Sequence, residues 1–379
     1  VDAPGMTRLG IGVVGAGRVG AVLGSALRAA GHPVVGVSAV SEASRERADA
    51  LLPGVPVLDV PEVVRRSELV LLAVPDDALA DLVQGLATTG AWQAGQIVVH
   101  TAGRYGTAVL DPARAAGVIP LALHPAMTFT GTSLDLSRLV GCTFAVTAPT
   151  PVLPIGQALV VEMGGEPVVL DEAARPLYHA ALAHGANHLV VLVAQAGQAL
   201  ADAGVADPGA VLRPLLSAAL DGALRAESTS GGADGTEVRS PVTGGAVTAL
   251  TGPVRRGDAG TVRDHLDVLA ALGVRTGATD VAASYRALAR AATGRALAAR
   301  LLDESQGEAL LDALASGDVA PEDAARHAGP AHAPGPGGST VQRGDDPSAP
   351  PRGPTARDEQ DEDTRDGEDP APADQEDQA

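Results

Sequence analysis

From Leu9 to Thr147 short Val, Leu and Ile runs alternate with longer Ala-, Arg- and Leu-rich stretches. That alternation is the pattern of repeated βαβ units feeding a parallel sheet. Strands are predicted at Leu9 to Val14, Pro33 to Ser38, Leu69 to Val74, Gln96 to His100, Val118 to Leu123 and Thr143 to Thr147, followed by a helix over Pro151 to Met163 and a last short strand at Pro167 to Leu170.

Beyond Asp171 the apolar spacing turns helical, over Glu172 to Ala203, Ala210 to Ala226, Ala246 to Arg256, Thr261 to Leu272 and Ala278 to Leu297. Ser228 to Gly235, rich in Gly, Ser and Thr, reads as a loop, and weaker helices follow at Glu304 to Ala315 and Pro321 to His327. The expected fold is α/β: an N-terminal Rossmann domain with a doubly wound parallel sheet (1–170), an all-α helical domain for substrate or dimerisation (171–300), a weakly helical extension (301–329) and a disordered acidic Pro/Gly-rich tail (330–379).

Composition sharpens this. Only 2% of the residues are aromatic against 45% apolar, so the core is built from Ala, Val and Leu, and little is left for base stacking. The net charge of -19 repels a phosphate backbone, yet it is concentrated in Val341 to Ala379, where thirteen carboxylates meet four arginines. Nucleic acid is therefore not an expected partner. Cys142, the one cysteine, reads as a buried thiol in a strand and suits a reducing, cytoplasmic setting. No continuous apolar run approaches the length of a membrane span, and no basic stretch precedes an apolar one at the start, so neither membrane contact nor a signal peptide is expected. All 27 basic residues are arginine.

The strongest local signal is Gly15-Ala16-Gly17-Arg18-Val19-Gly20, directly after the strand Gly10 to Val14 and opening a helix over Val19 to Ala30. In that context Gly15 permits the tight turn, Gly17 the close approach of a pyrophosphate and Gly20 close helix–strand packing. The end of the second strand reads the ribose. There Ser38, Ser41 and Arg45 stand where an NAD site places a carboxylate, and neither hydroxyls nor a guanidinium repel a 2'-phosphate, so NADP(H) is the expected cofactor, with Glu42 counting against it.

Together with this fingerprint, Ala73-Val74-Pro75-Asp76-Asp77, His100-Thr101-Ala102-Gly103, Leu123-His124-Pro125-Ala126-Met127-Thr128-Phe129 and Leu250 to Asp258 give the chain a resemblance to a known family. Over about residues 7 to 295 it resembles the Rossmann-like proteins with a C-terminal domain of unknown function that are catalogued as NADP oxidoreductases. That family is similar in architecture to ketopantoate reductases, pyrroline-5-carboxylate reductases and 6-phosphogluconate dehydrogenases. The resemblance implies a substrate between the two domains, ketopantoate as the leading specific candidate, and a homodimer paired through the helical domain. Two positions depart from the family pattern: Ala102 replaces a serine, and Ala186 replaces the serine of a Ser-Asn pair that ends in Asn187.

In several of those related enzymes a lysine donates the proton, and this chain has none, so His, a hydroxyl or ordered water must serve. Ligands of open α/β sheets gather at the carboxyl ends of the strands, which marks Val74, Pro75 and Thr101 for the cofactor and His124 and His100 for chemistry. His124 is the leading general acid and His100 the second; for each, an imidazole merely bonded to backbone is the competing reading. On the first long helix Asn187 stands eight residues after His179 on nearly the same face, suited to hold a substrate carbonyl or carboxylate. His184 and His188 have metal-ligand spacing but no third ligand at a fitting distance in sequence, so no metal is expected. Thr251 and Arg256, in a Gly-Pro turn, are candidates to clamp a substrate carboxylate, against a simple helix-capping role for this turn. The competing function is a non-catalytic NADP(H) sensor.

Overall fold

The computed structural model describes residues 8–228 and 245–315. The expected loop after Ser228, the helix at Pro321 to His327 and the acidic tail lie outside the described residues. The elements run β1 (Ile11–Val14), α1 (Arg18–Ala29), β2 (Val34–Ser38), α2 (Glu42–Leu51), α3 (Val60–Arg66), β3 (Leu69–Leu72), α4 (Asp76–Thr88), β4 (Ile97–His100), α5 (Asp111–Arg114), β5 (Ile119–Pro125), α6 (Leu134–Leu139), β6 (Thr143–Thr147), α7 (Leu153–Glu162) and β7 (Glu166–Val169). Helices alone follow: α8 (Arg175–Asp202), α9 (Pro208–Ser228), α10 (Gly252–Arg256), α11 (Ala259–Thr276), α12 (Thr279–Ala298) and α13 (Glu304–Ala315).

The sheet order is β2-β1-β3-β4-β5-β6-β7. β1 to β5 are parallel, whereas β6 runs antiparallel to β5 and β7 parallel to β6. The expectation of a parallel sheet thus needs correcting at β6. Between β5 and β6 the chain forms only the six-residue α6, and it turns back beside β5 instead of crossing over. Beyond β2, the place of a third Rossmann strand has shrunk to a single bridge between Val37 and Val57.

The central strands bury both faces, as β-branched and Leu runs without polar alternation must. One face carries Ile11, Val13, Leu71 and Phe144 with α1 and α7; the other carries Val14, Val70, Leu72 and Val98 with α3 and α4. The helical part has its own core of Val254, Val262, Leu266, Ala296 and Leu310. The helix expected over Ala246 to Arg256 is broken: a 3-10 turn at Gly245–Ala249 gives way to α10, because Gly252 takes a left-handed φ of 84° and Pro253 restarts the helix.

Helix α8 extends the picture most. Glu172–Asp202 contains an 18-residue window of mean hydropathy 1.2, long and apolar enough by composition to cross a membrane, although its polar interruptions keep any continuous apolar run short. Within the fold its first turn enters the sheet edge through Arg175, and Gln195 Nε2 donates to Asp280 (2.7 Å) and Ser284 (3.0 Å) on α12. Only those two of its side chains are buried.

Candidate dinucleotide and substrate cleft

At the β1–α1 turn the three glycines meet different surroundings. Gly15 has φ +97°, and a methyl group there would lie 2.6 Å from the Ala73 carbonyl oxygen. One on Gly20 would lie 2.1 Å from the Gly15 carbonyl oxygen, so α1 sits against the turn with no room to spare. Gly17 faces open space within 4 Å. It is also the N-cap of α1, with no side chain capping the helix and no acid in the first turn, so the first-turn N–H groups and the positive end of the helix dipole are presented to that space. The donor set fits an anionic diphosphate, and Ala16 and Val19 frame it.

The ribose end differs from its sequence reading. Ser38 is buried, and its Oγ accepts from Gly15 N at 3.0 Å, so it builds the turn. Ser41 caps α2 by accepting from Ser44 N at 3.2 Å. This sets the phase of α2: Ser44, Ala48 and Leu51 are buried and Arg45 is exposed. Arg47 is the arginine that turns inward, its Nη1 3.4 Å from the Ala16 carbonyl oxygen. Arg18 and Arg47 flank Gly131, where a methyl group would lie 2.9 and 3.0 Å from their side-chain carbons.

The carboxyl ends of β3, β4 and β5 carry the rest. Val74 and Pro75 lead into α4, with Pro75 as its N-cap, and Thr101 N donates to Leu72 O at 3.2 Å. His100 is fully buried within β4; Nε2 donates to Gly106 O at 2.8 Å and Nδ1 accepts from Ala102 N at 3.2 Å. Both nitrogens are used in folding the loop 101–106, so its second-choice place in catalysis gives way to the backbone-bonded reading. Burial holds its pKa down to about 4, with its bond to Gly106 opposing.

His124 stands at the cleft, half-buried, with Nδ1 3.0 Å from the Tyr178 hydroxyl and the two rings edge to face. A methyl group on Gly103 would lie 2.9 Å from His124 Nε2 and 2.5 Å from His179 Cδ2, so that loop and both imidazoles enclose one corner. Burial first, then the Arg175 charge, then His179 hold the His124 pKa at about 4. At neutral pH this imidazole is uncharged.

Helix α8 supplies the opposite wall. Arg175, Tyr178, His179, Leu182, Ala183 and Ala186 recur at spacings of three and four, one face of a helix, which ends here at Asn187. His124, His179 and Asn187 line one cavity of about 410 Å³, with Met127, Thr128 and Leu182. Arg175 lies behind it, fully buried: Nε donates to Thr147 Oγ1 (2.9 Å), Nη1 to Ala102 O (3.1 Å), and Nη2 to Ala122 O (2.8 Å) and Ala145 O (2.9 Å). Sequence reasoning missed Arg175, Tyr178 and Arg47. A cation in the first turn of a long helix opposes the helix dipole, and that was the available signal for Arg175.

The other candidates are elsewhere. Thr251 stands at the N-terminus of α10 without a side-chain capping bond and lines a different, apolar cavity of about 430 Å³ with Leu192 and Leu269. Arg256 is exposed beside Asp258, which caps α11 through Thr261 N at 3.0 Å. Neither is brought to His124 within one chain. His184 and His188 bond to each other through Nδ1 at 2.8 Å, and among the described residues no group of three potential metal ligands occurs.

Comparison with known proteins agrees with this architecture. A Rossmann-like domain model matches residues 4–125, and the model of a domain of unknown function, DUF2520, matches residues 142–292. No curated protein matches the chain. Among solved structures, a Bacteroides fragilis protein described as a candidate NADP oxidoreductase is similar at 21% identity and TM-score 0.58, covering 75% of this chain and 98% of its own. A Thermotoga maritima protein gives 19% and 0.53 over 76% and 99%. An imine reductase from Myxococcus stipitatus, solved with NADP+, gives 18% and 0.54 over 81% and 99%. A Rossmann-like domain model and the DUF2520 model thus match consecutive parts of the chain.

Proposed function

We propose that the protein is an NADP(H)-dependent oxidoreductase that reduces a small 2-oxo acid or imine, with ketopantoate as the first specific substrate to try. The carrying observation is the open, uncapped helix N-terminus at Gly17 on the same sheet edge as the His124–Tyr178 pair and its cavity. The oxidoreductase names of similar folds support the reading.

Gly15 to Gly20 and the first turn of α1 would hold the diphosphate, Arg18 and Arg47 its outer charges, and Val74, Pro75 and Thr101 the nicotinamide end. A bound NADPH supplies the hydride. His124 is neutral at working pH, so it acts as a hydrogen-bond donor and not as an imidazolium. With the Tyr178 hydroxyl donating to Nδ1, the proton sits on Nε2, the nitrogen beside Gly103 and the cleft. It can then pass to the substrate heteroatom while Tyr178 restores the imidazole. Asn187 and His179 orient the substrate.

Loss of NADPH near-ultraviolet absorbance over a panel of ketopantoate, pyrroline-5-carboxylate and short 2-oxo acids tests this, with His124→Ala alongside. Turnover that collapses in the variant is expected. Tight NADPH binding without turnover would instead make the protein a dinucleotide sensor.

We also propose a homodimer through the helical part. Leu177, Val190 and Val191 on α8 and Leu215 and Leu224 on α9 are each 48% or more exposed. A second copy would cover such exposed apolar side chains. A monomeric mass at micromolar concentration in light scattering would remove the idea. The buried Cys142 thiol suits a reducing, cytoplasmic setting.

A further inference from the structure

We propose that the cleft is built to reduce a carbonyl whose oxygen gathers negative charge, in preference to a protonated imine, and that the buried Arg175 sets this choice. The inference rests on the reductase reading above and narrows its substrate class.

Four hydrogen bonds hold the Arg175 guanidinium, and every acceptor is neutral: three carbonyls and a threonine hydroxyl. Its pKa, lowered by burial to about 10, still leaves it charged near neutrality. The nearby carboxylate, Glu172, is spent on the amides of Thr107 and Ala108. The positive end of α8 adds to the same field. On the cleft wall stand two imidazoles and an amide, His124, His179 and Asn187, and no carboxylate.

A protonated imine is a cation and needs an anionic neighbour or a negative field. The field at His124 is of the opposite sign, because the charge that helps to keep a proton off this imidazole also resists a cationic substrate beside it. A carbonyl asks for the reverse. Its carbon gains a hydride, its π pair moves to oxygen, and the oxygen gains a proton; the two electrons come from the reduced dinucleotide, which is left oxidised. The proton leaves His124 Nε2 as the Tyr178 hydroxyl proton moves to Nδ1; solvent then delivers a proton to Nε2 as the Nδ1 proton returns to the phenolate, which restores both groups. Arg175 stabilises the gathering oxyanion, and its charge opposes the burial that raises the Tyr178 pKa. Even at an effective dielectric near 20, a buried cation behind the cleft shifts the preference between an anionic and a cationic partner by roughly tenfold or more.

The test uses full-length protein saturated with NADP+ and two probes, oxamate and pyrrolidinium, titrated calorimetrically against wild type, Arg175→Lys and Arg175→Met. Histidine NMR follows His124 in the same proteins without substrate; the titrating neighbours to be assigned with it are His100 on β4 and Arg175, Tyr178 and His179 on α8. Wild type should bind oxamate at least tenfold more tightly than pyrrolidinium. Lysine should keep that order, methionine should erase it, and His124 should take up its proton at higher pH in the methionine variant alone. Tighter binding of pyrrolidinium by wild type, binding of neither probe, or an unchanged order in folded Arg175→Met overturns the proposal. If the methionine variant does not fold, His124 titrating near its ordinary value in wild type does so as well. Absence of NADPH binding, read by its fluorescence, refutes the dinucleotide reading separately and leaves the probe order to be measured on the bare protein.

Discussion

Adding one methyl group at Gly17 and at Gly20 should separate binding from folding. Gly17 has φ -71° and ψ -170°, an ordinary conformation for any L residue, and a Cβ there meets nothing within 4 Å. Gly17→Ala should therefore melt within about 1 °C of wild type, since neither a clash nor a strained φ opposes it and a lost glycine slightly favours folding. Its methyl group would stand where the pyrophosphate must approach, and NADPH affinity should fall by at least tenfold, about 1.4 kcal/mol. Gly20→Ala places a Cβ 2.1 Å from a backbone oxygen and 2.9 Å from Ala73 Cβ. Van der Waals contact needs more than an ångström of retreat by α1, and overpacking on that scale costs about 1–3 kcal/mol. Thermal melts and NADPH fluorescence titrations on both variants read the two effects. Gly17→Ala that binds NADPH like wild type would refute the assignment of that space to the diphosphate, and Gly20→Ala with an unchanged melt would refute the clash.

Arg47→Ala should weaken NADPH binding about tenfold, the scale of one lost charge-assisted contact, while the exposed Arg45→Ala changes it little; equal effects would remove the inward role of Arg47. Tyr178→Phe should lower kcat by roughly a hundredfold at unchanged NADPH affinity, and a full-rate phenylalanine variant would dismiss the relay. His100 contributes a pH dependence: its folded pKa of about 4 lies below its ordinary value of 6.5, so the unfolded chain binds the proton first. Its stabilisation is whole above pH 6.5, drains as pH falls toward 4, and amounts to about 3 kcal/mol over that window. Denaturation of wild type and His100→Asn between pH 7 and 4 should converge, and parallel curves would contradict this.

Local signals in the sequence carried much of the fold. The strand runs and the glycine fingerprint are contiguous, so their period and order survive without tertiary information. The reversal of β6 was hidden because direction depends on the length of the covered connection, not on the strand itself. At the site, the place of His124 near the carboxyl end of β5 was legible from the apolar run that it closes, whereas the choice between the two readings of His100 needed its partners, Gly106 O and Ala102 N, which belong to a loop whose path the sequence does not state. Arg45 was chosen over Arg47 for want of a helix phase. Ser41 as cap would have supplied it, since Ser44, Ala48 and Leu51 then share the inner face with Arg47. Tyr178 needed the docking of α8 on the sheet, a contact that no local pattern encodes, and the local sign of Arg175 was a cation in the first turn of a long helix.

That docking has a mechanical consequence. α8 is about 42 Å long at 1.5 Å per residue and is tied to the sheet at Arg175 and to α12 at Gln195, so a pivot at the guanidinium would carry α12 with it. Asn187 lies about 18 Å along it, and a tilt of roughly 5° at the pivot shifts that residue by about 1.6 Å, enough to make or break a hydrogen bond to a ligand. A partner that tilted α8 from its exposed outer turns would thus change the width of the cleft without touching any residue that lines it.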